Sequence, residues 1–271
     1  MLQLTRTKEI ADKIELLLIF ISMPGGSKTV MSKILVLLLQ SLKHGVNQKR
    51  FVRLGMSDVI REERGDVTSN LRPLILGEEP TTLKVGKLLS SPLTVRILDK
   101  HIVLNFWHGG RIMLLDGFPR DVQQGEATLD TQIPRKVIYL RVDDENLSFK
   151  RIAERAIKEG RFDDAKPERV RERLDVYRDE TTHALTQLTT ADPASVNEVS
   201  AALEFEDRVE AVILAAGYDA SETAEMMAEL RKPGTPANNL MRETLGLPKA
   251  KSRIGAQPRG PYIVHVTKVI A

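Results

Sequence analysis

The chain contains no cysteine, which excludes disulfides, thiol nucleophiles and zinc sites built on thiolates. Its five histidines, His44, His101, His108, His183 and His265, are scattered without metal-ligand spacing. Aromatic residues make up only 4% of the sequence, too few for a base-stacking nucleic-acid surface. Long apolar runs are also missing. The longest near the start, residues 16–21, falls far short of the ~20 residues that a membrane span needs. Asp12, Lys13 and Glu15 precede it, where a signal peptide would carry a basic start. A soluble protein of the cytoplasm or an organelle matrix is expected, with no membrane partner.

What is present describes an ordinary globular chain. Its 271 residues are 42% hydrophobic and 28% charged, enough for one large domain with a sizeable core, or one domain and an appendage. The net charge of +3 conceals an asymmetry. From Arg231 onward there are eight Lys or Arg against one acid, Glu243, a net +7. The 230 residues before Arg231 carry 32 bases and 36 acids, a net −4. A mildly acidic body therefore carries a basic tail.

Residues 16–21 form a continuous apolar run, as expected of a central parallel strand covered on both faces. A Gly-rich turn at 23–29 follows, then a helix over 30–42. Residues 111–115 and 136–140 read as two more buried strands, with helical patterns over 122–129, 145–158 and 168–185. Alternating strands and helices indicate a parallel α/β sheet. The spacing predicts a helix over 195–216 stopping at Gly217, and a shorter one over 221–230. Five prolines, from Pro233 to Pro261, punctuate the remainder, which reads as a partly disordered arm until strand character returns over 262–270.

Three groups of residues carry chemistry. The turn Ser22-Met-Pro-Gly-Gly-Ser-Lys-Thr29 sets Lys28 and Thr29 at a helix start, where unpaired N–H groups and the helix dipole favour a phosphate. The phosphate-loop pattern is G-x-x-x-x-G-K-[ST], and serine occupies both framing glycine positions here. The second group, Asp116-Gly-Phe-Pro-Arg120, follows a buried strand and so lies at the ligand-binding edge of a parallel sheet. Gln124 comes four residues after Arg120. The third is a cationic cluster of Arg151, Arg155, Arg161 and Arg173, interleaved with Asp163 and Asp164. Each group also has a plain structural reading: a helix-capping turn, a capped strand end with a surface arginine, and a solvated charged helix.

In their order along the chain, these stretches resemble the adenylate kinase family of nucleoside monophosphate kinases. Ser57-Asp-Val-Ile-Arg61 stands between the first and second groups, and Gly160-Arg-Phe-Asp-Asp164 and Arg173-Leu-Asp-Val-Tyr177 follow. The likeness runs over about 14–203. It implies a P-loop-type, three-layer α/β fold with a central parallel sheet, small acceptor-binding and lid insertions, and a C-terminal extension. It implies a kinase-like domain over 1–217, an acceptor insertion at about 55–100, a short lid at about 155–168, and an extension over 218–271.

The resemblance also implies roles. Lys28, Arg120, Arg155, Arg161 and Arg173 would be catalytic. Pro24, Gly25, Gly26, Ser27, Lys28, Thr29 and Arg151 would bind ATP. Asp58, Arg61, Arg120 and Gln124 would bind the nucleoside monophosphate, AMP first, with Gln124 reading its base. Asp163 and Asp164 would pin the lid. Mg²⁺ would lie near Thr29 and Asp116, largely through water, and the brief stretch from Gly160 to Asp163 matches a short lid without zinc. The departures are local. Ser27 stands where the loop is expected to need a positive φ, and Met56 and Ser57 replace the Thr or Ala and Gly expected before Asp58. Two functions stay open: an active kinase, or a kinase-fold binding or assembly protein whose basic tail contacts RNA, a ribosome or another anionic partner.

Overall fold

The computed structural model describes residues 2–42, 50–82, 88–158 and 166–250. The expected strand at 262–270 and the middle of the expected lid, including Arg161, Asp163 and Asp164, lie outside them.

The order of elements alternates as the sequence pattern predicts. A short helix α1 (Thr5–Lys8) precedes β1 (Leu16–Ser22), α2 (Lys28–Ser41) and β2 (Arg50–Gly55). Then come α3 (Met56–Gly65), α4 (Arg72–Glu78), α5 (Ser91–Trp107), β3 (Gly110–Asp116), α6 (Val122–Asp130) and β4 (Arg135–Arg141). The chain continues through α7 (Glu145–Lys158), α8 (Pro167–Val176), α9 (Thr182–Ala191), β5 (Val196–Ser200) and α10 (Phe205–Ala215). It ends with α11 (Ala220–Arg231) and α12 (Pro236–Thr244).

The five strands are all parallel, in the order β2-β3-β1-β4-β5. β1 is central because both of its faces are apolar. Leu17, Ile19 and Ile21 enter one core with residues of α3, α5 and α6, while Leu18 and Phe20 enter the other with α2, α10, α11 and α12. This period-two division puts a helical layer on each side of the sheet. The register places Phe20, Asp116 and Gly55 in one row at the carboxyl end of the sheet. The chain leaves β1 toward β2 on one side and reaches β4 on the other, so this row lies at the topological switch point, where open α/β sheets bind ligands.

The expected helix over 195–216 is corrected in its first part. Residues 196–200 form β5, an edge strand on β4, with Val199 its one buried residue and Arg141 Nη1 2.5 Å from Glu198 Oε1 across the pair. Side-chain pairing across strands, invisible to helical periodicity, decides this segment. The expected helix over 168–185 becomes a longer helical run, widened by a π-turn at Tyr177–Thr181.

The short helix expected over 221–230 is α11, and the stretch after it, read as an arm, is built differently as far as residue 250. Asp219 and Glu222 form a capping box that starts α11. Met226, Met227 and Leu230 of α11, with Ala237 and Met241 of α12, join Ile34, Leu35 and Leu38 of α2 in the second core. Leu230 is fully buried, so Leu230→Ala is expected to destabilise the protein by about 2–5 kcal/mol in urea unfolding. A chain ending at Gly217 should melt well below the full chain, because it uncovers α2. Equal melting of the two chains would show that α11 and α12 add no core.

Candidate active site

The turn after β1 is shaped by close approaches. Gly25 has φ +86, and a Cβ there would lie 2.8 Å from the Ser148 carbonyl oxygen of α7, so no side chain fits. A Cβ on Gly26 would fall on Ser22 Oγ, which donates to the Met23 carbonyl at 3.0 Å. The bare Gly26 thus makes room for the Ser22 hydroxyl. Ser27 caps α2 in the left-handed region, at φ +67. A non-glycine residue there costs on the order of 1–2 kcal/mol. The Ser27 carbonyl accepts from Val30 and Met31 N–H, each at 3.0 Å. As at any helix start, the first N–H groups of α2 lie at the positive end of the helix dipole.

Asp116 ends β3 and is buried. Gly117, at φ +85, turns the chain so that Arg120 folds back and its Nε donates to the Gly117 carbonyl at 3.2 Å. Burial pulls the Arg120 guanidinium below the ordinary arginine range. Asp116 opposes that shift, and the nearby charge of Arg173 adds to it. Arg120 is therefore desolvated and lies near enough to Asp116 and Arg173 to feel both charges. The π-turn helps to hold it there, since Thr181 Oγ1 donates to the Arg120 carbonyl at 3.1 Å. On the opposite flank, Arg151 Nη1 donates to the Gly25 carbonyl at 3.5 Å.

Gln124 is buried and its amide is engaged within this loop. Its Oε1 accepts from Arg120 N–H at 2.9 Å, and its Nε2 donates to Asp121 Oδ2 at 2.7 Å. Here Gln124 braces the Arg120 loop. Arg155 lies on α7, and its side chain is outside the description.

Asp58 and Arg61 lie on α3, whose start directly follows β2. Arg61 Nη1 donates to Asp58 Oδ1 at 3.3 Å, and the Arg61 side chain is largely exposed. A buried cluster clamps α3 to α5. Glu63 takes contacts from His101 Nε2 at 2.9 Å, Lys100 Nζ at 2.7 Å and the Ser69 hydroxyl. Burial alone would raise the Glu63 pKa, but hydrogen bonds from His101, Lys100 and Ser69 bring it down to about 2.

Two residues escaped the sequence reading. Arg53 of β2 places Nη2 2.5 Å from Asp116 Oδ2, Nη1 2.8 Å from Asp58 Oδ2 and Nε 2.9 Å from Ser32 Oγ. Arg208 of α10 is buried and donates Nη2 to the Leu203 carbonyl at 2.7 Å. Burial lowers its pKa, and the charge of Arg151 lowers it further. No motif signals either one.

Among the described residues, no group of three or more His, Asp or Glu is arranged to hold a metal ion. The donors near the phosphate loop are the Thr29 hydroxyl and the Asp116 carboxylate, whose contact with Arg53 uses Oδ2. A single carboxylate fits Mg²⁺ that arrives on nucleotide phosphates and keeps most of its waters. It does not fit a cation held by protein alone.

Ser27→Gly removes the left-handed penalty but frees the unfolded chain. A net gain of up to about 1 kcal/mol is expected in urea unfolding, and a loss would mean that the serine hydroxyl is needed. Glu63, depressed from 4.5 to about 2, adds stability that is complete above its unfolded value and is lost as pH falls from about 4.5 toward 2. At about 3 kcal/mol, this should give a clear acid limb in unfolding free energy. Glu63→Gln should lower stability at neutral pH and flatten that limb. An unchanged limb would remove Glu63 from the acid response.

No family model matches the chain. It is 35% identical over 107 residues to an adenylate kinase of Flavobacterium psychrophilum, a match spanning 37% of this chain and 54% of that protein. The chain thus spans only about half the length of that relative. Over longer stretches it is 32% identical to an adenylate kinase of Synechococcus sp. (strain WH7803), across 171 residues, 60% of this chain and 79% of that protein. An adenylate kinase of Rhodococcus erythropolis is 31% identical across 172 residues, 61% of this chain and 81% of that protein. These lengths and identities, together with the parallel sheet and the ordered charged site at its carboxyl edge, place the chain in the adenylate kinase family.

Proposed function

We propose that the protein catalyses reversible transfer of the γ-phosphoryl group of Mg-ATP to a nucleoside monophosphate, ATP + NMP ⇌ ADP + NDP. AMP is the first acceptor to try, because the relatives are named adenylate kinases. The observation that carries this reading is the carboxyl edge of the sheet, where Arg120 folds back onto the Gly117 carbonyl next to buried Asp116, with Arg173 near enough to act on its charge, at the edge that also receives the start of α2. Phosphoryl transfer asks little covalent chemistry of a protein. It asks for in-line positioning and for positive charge where the equatorial oxygens gather negative charge. In this reading Lys28 and the first N–H groups of α2 hold the donor phosphates. Arg120 and Arg173 face the transferring group, and Arg61 reaches the acceptor phosphate from α3. Mg²⁺, when bound to the nucleotide, neutralises phosphate charge.

No helix among the described residues is long and apolar enough to cross a membrane. A cytoplasmic place for the enzyme belongs to the same proposal.

A coupled assay with Mg-ATP and each of AMP, CMP, UMP and GMP tests it. ADP formation is expected, fastest with AMP. Lys28→Ala and Arg120→Ala should each lower kcat at least about 100-fold, as loss of a transition-state donor does. Near-normal rates in either variant would refute its assigned role. ATP binding without ADP formation from any acceptor would instead leave a nucleotide-binding component on a kinase fold.

A further inference from the structure

Arg53 lies outside every motif that carries the kinase reading, yet its guanidinium pairs directly with Asp116. We propose that Arg53 is a positioning residue that joins the metal-side carboxylate Asp116 to acceptor helix α3 and competes with a divalent cation for that carboxylate. The proposal rests on the kinase reading for its meaning in catalysis, though its physical core concerns Arg53 and Asp116 alone.

The guanidinium meets three elements at once: Asp116 at the end of β3, Asp58 on the first turn of α3, and Ser32 of α2. A planar fork with fixed donor directions cannot satisfy three acceptors unless those elements keep one arrangement. Gly55 permits the approach, since a Cβ there would stand 2.7 Å from Arg53 Nη2 and 2.8 Å from Asp58 Oδ2. The Arg53 side chain is 10% exposed and that of Asp116 5%. In such a site the Coulomb attraction is stronger than at the surface. A divalent cation approaching Oδ2 must therefore displace the guanidinium or sit against its charge. Among the described residues no group of three or more His, Asp or Glu is there to compensate. Metal without nucleotide should bind weakly, and metal on ATP phosphates should bind readily, because the phosphates bring the missing negative charge.

The test uses Mn²⁺ alone, without nucleotide, titrated into the full chain and followed by the EPR signal of free Mn²⁺. Arg53→Gln is expected to bind one Mn²⁺ at least about tenfold more tightly than the wild type. Arg53→Lys, which restores the charge, should return to wild-type weakness. Arg53→Gln with Asp116→Asn should lose the gain, locating it at Asp116. Equal affinity of wild type and Arg53→Gln, or a gain that survives Asp116→Asn, would overturn the proposal.

Should Arg53→Gln fail to fold, the wild type carries the test by NMR of the Arg53 side-chain N–H groups. Their signals are expected to persist in millimolar Mg²⁺ without nucleotide, and their loss would overturn the proposal. The coupled assay separates the two readings. ADP formation by a wild type whose metal affinity is indifferent to Arg53 would retire this inference alone. Absence of ADP formation alongside the tenfold difference would retire the kinase reading and leave the competition at Asp116 standing.

Discussion

A buried carboxylate needs a cation. Asp116 sits in the last row of the sheet, beside Phe20 on β1 and Gly55 on β2, where water cannot repay its desolvation. Much of the site follows from meeting that demand. Arg53 reaches across from the neighbouring strand to supply the charge, and in doing so fixes the start of α3 through Asp58. Burial would raise the Asp58 pKa, but the hydrogen bond and charge of Arg53, with Lys33 and Arg61 beyond, hold it lowered. One arginine thus pairs with two carboxylates and sets the helix that carries Arg61.

The phosphate loop meets a different constraint, of backbone shape. Its turn is pressed between α7 behind Gly25 and the Ser22 hydroxyl beneath Gly26. The two departures from the phosphate-loop pattern differ physically. Ser22 is accommodated, because Gly26 opposite it has no side chain. Ser27 is strained, because its left-handed φ is demanded by the turn into α2, and no neighbouring substitution changes that demand. A strained residue at such a turn persists only when surrounding packing determines it. Here that packing is the second core around Met31, Ile34 and Leu35.

The elements legible in the sequence are those whose signal is local. Continuous apolar runs gave away β1, β3 and β4, because strands covered on both faces need no alternation. The amphipathic stretch at 145–158 coincides with α7. β2 was hidden by Arg50 and Arg53, and β5 by carrying one buried residue, Val199. α5 is buried nearly all round, Asp99, His101 and Asn105 included, so it shows no polar stripe to mark its period. The candidate site divides in the same way. Lys28, Asp116 and Arg120 stand next to strand ends and turn signals. Arg53 and Arg208 owe their surroundings to partners that only the fold brings near. Arg53 meets Asp116 across 63 positions of sequence, and no spacing rule reaches that far.

The basic balance of the whole chain explains little of this chemistry, since its excess lies from Arg231 onward. The charge that matters is local and set by burial. The charge of Arg173 lowers the affinity of Arg120 for protons, and that of Arg151 does the same to Arg208. Like charges held together in a desolvated pocket raise the free energy of the empty site. An anion entering between them removes that repulsion and needs no rearrangement to be held. Asp116 answers one part of the cationic excess and Glu180 another. Arg53 already pairs with Asp116, so that carboxylate does not have to be neutralised by Arg120 and Arg173 alone. The pairing that satisfies the fold therefore also bears on how much positive charge the site can offer in the proposed phosphoryl transfer.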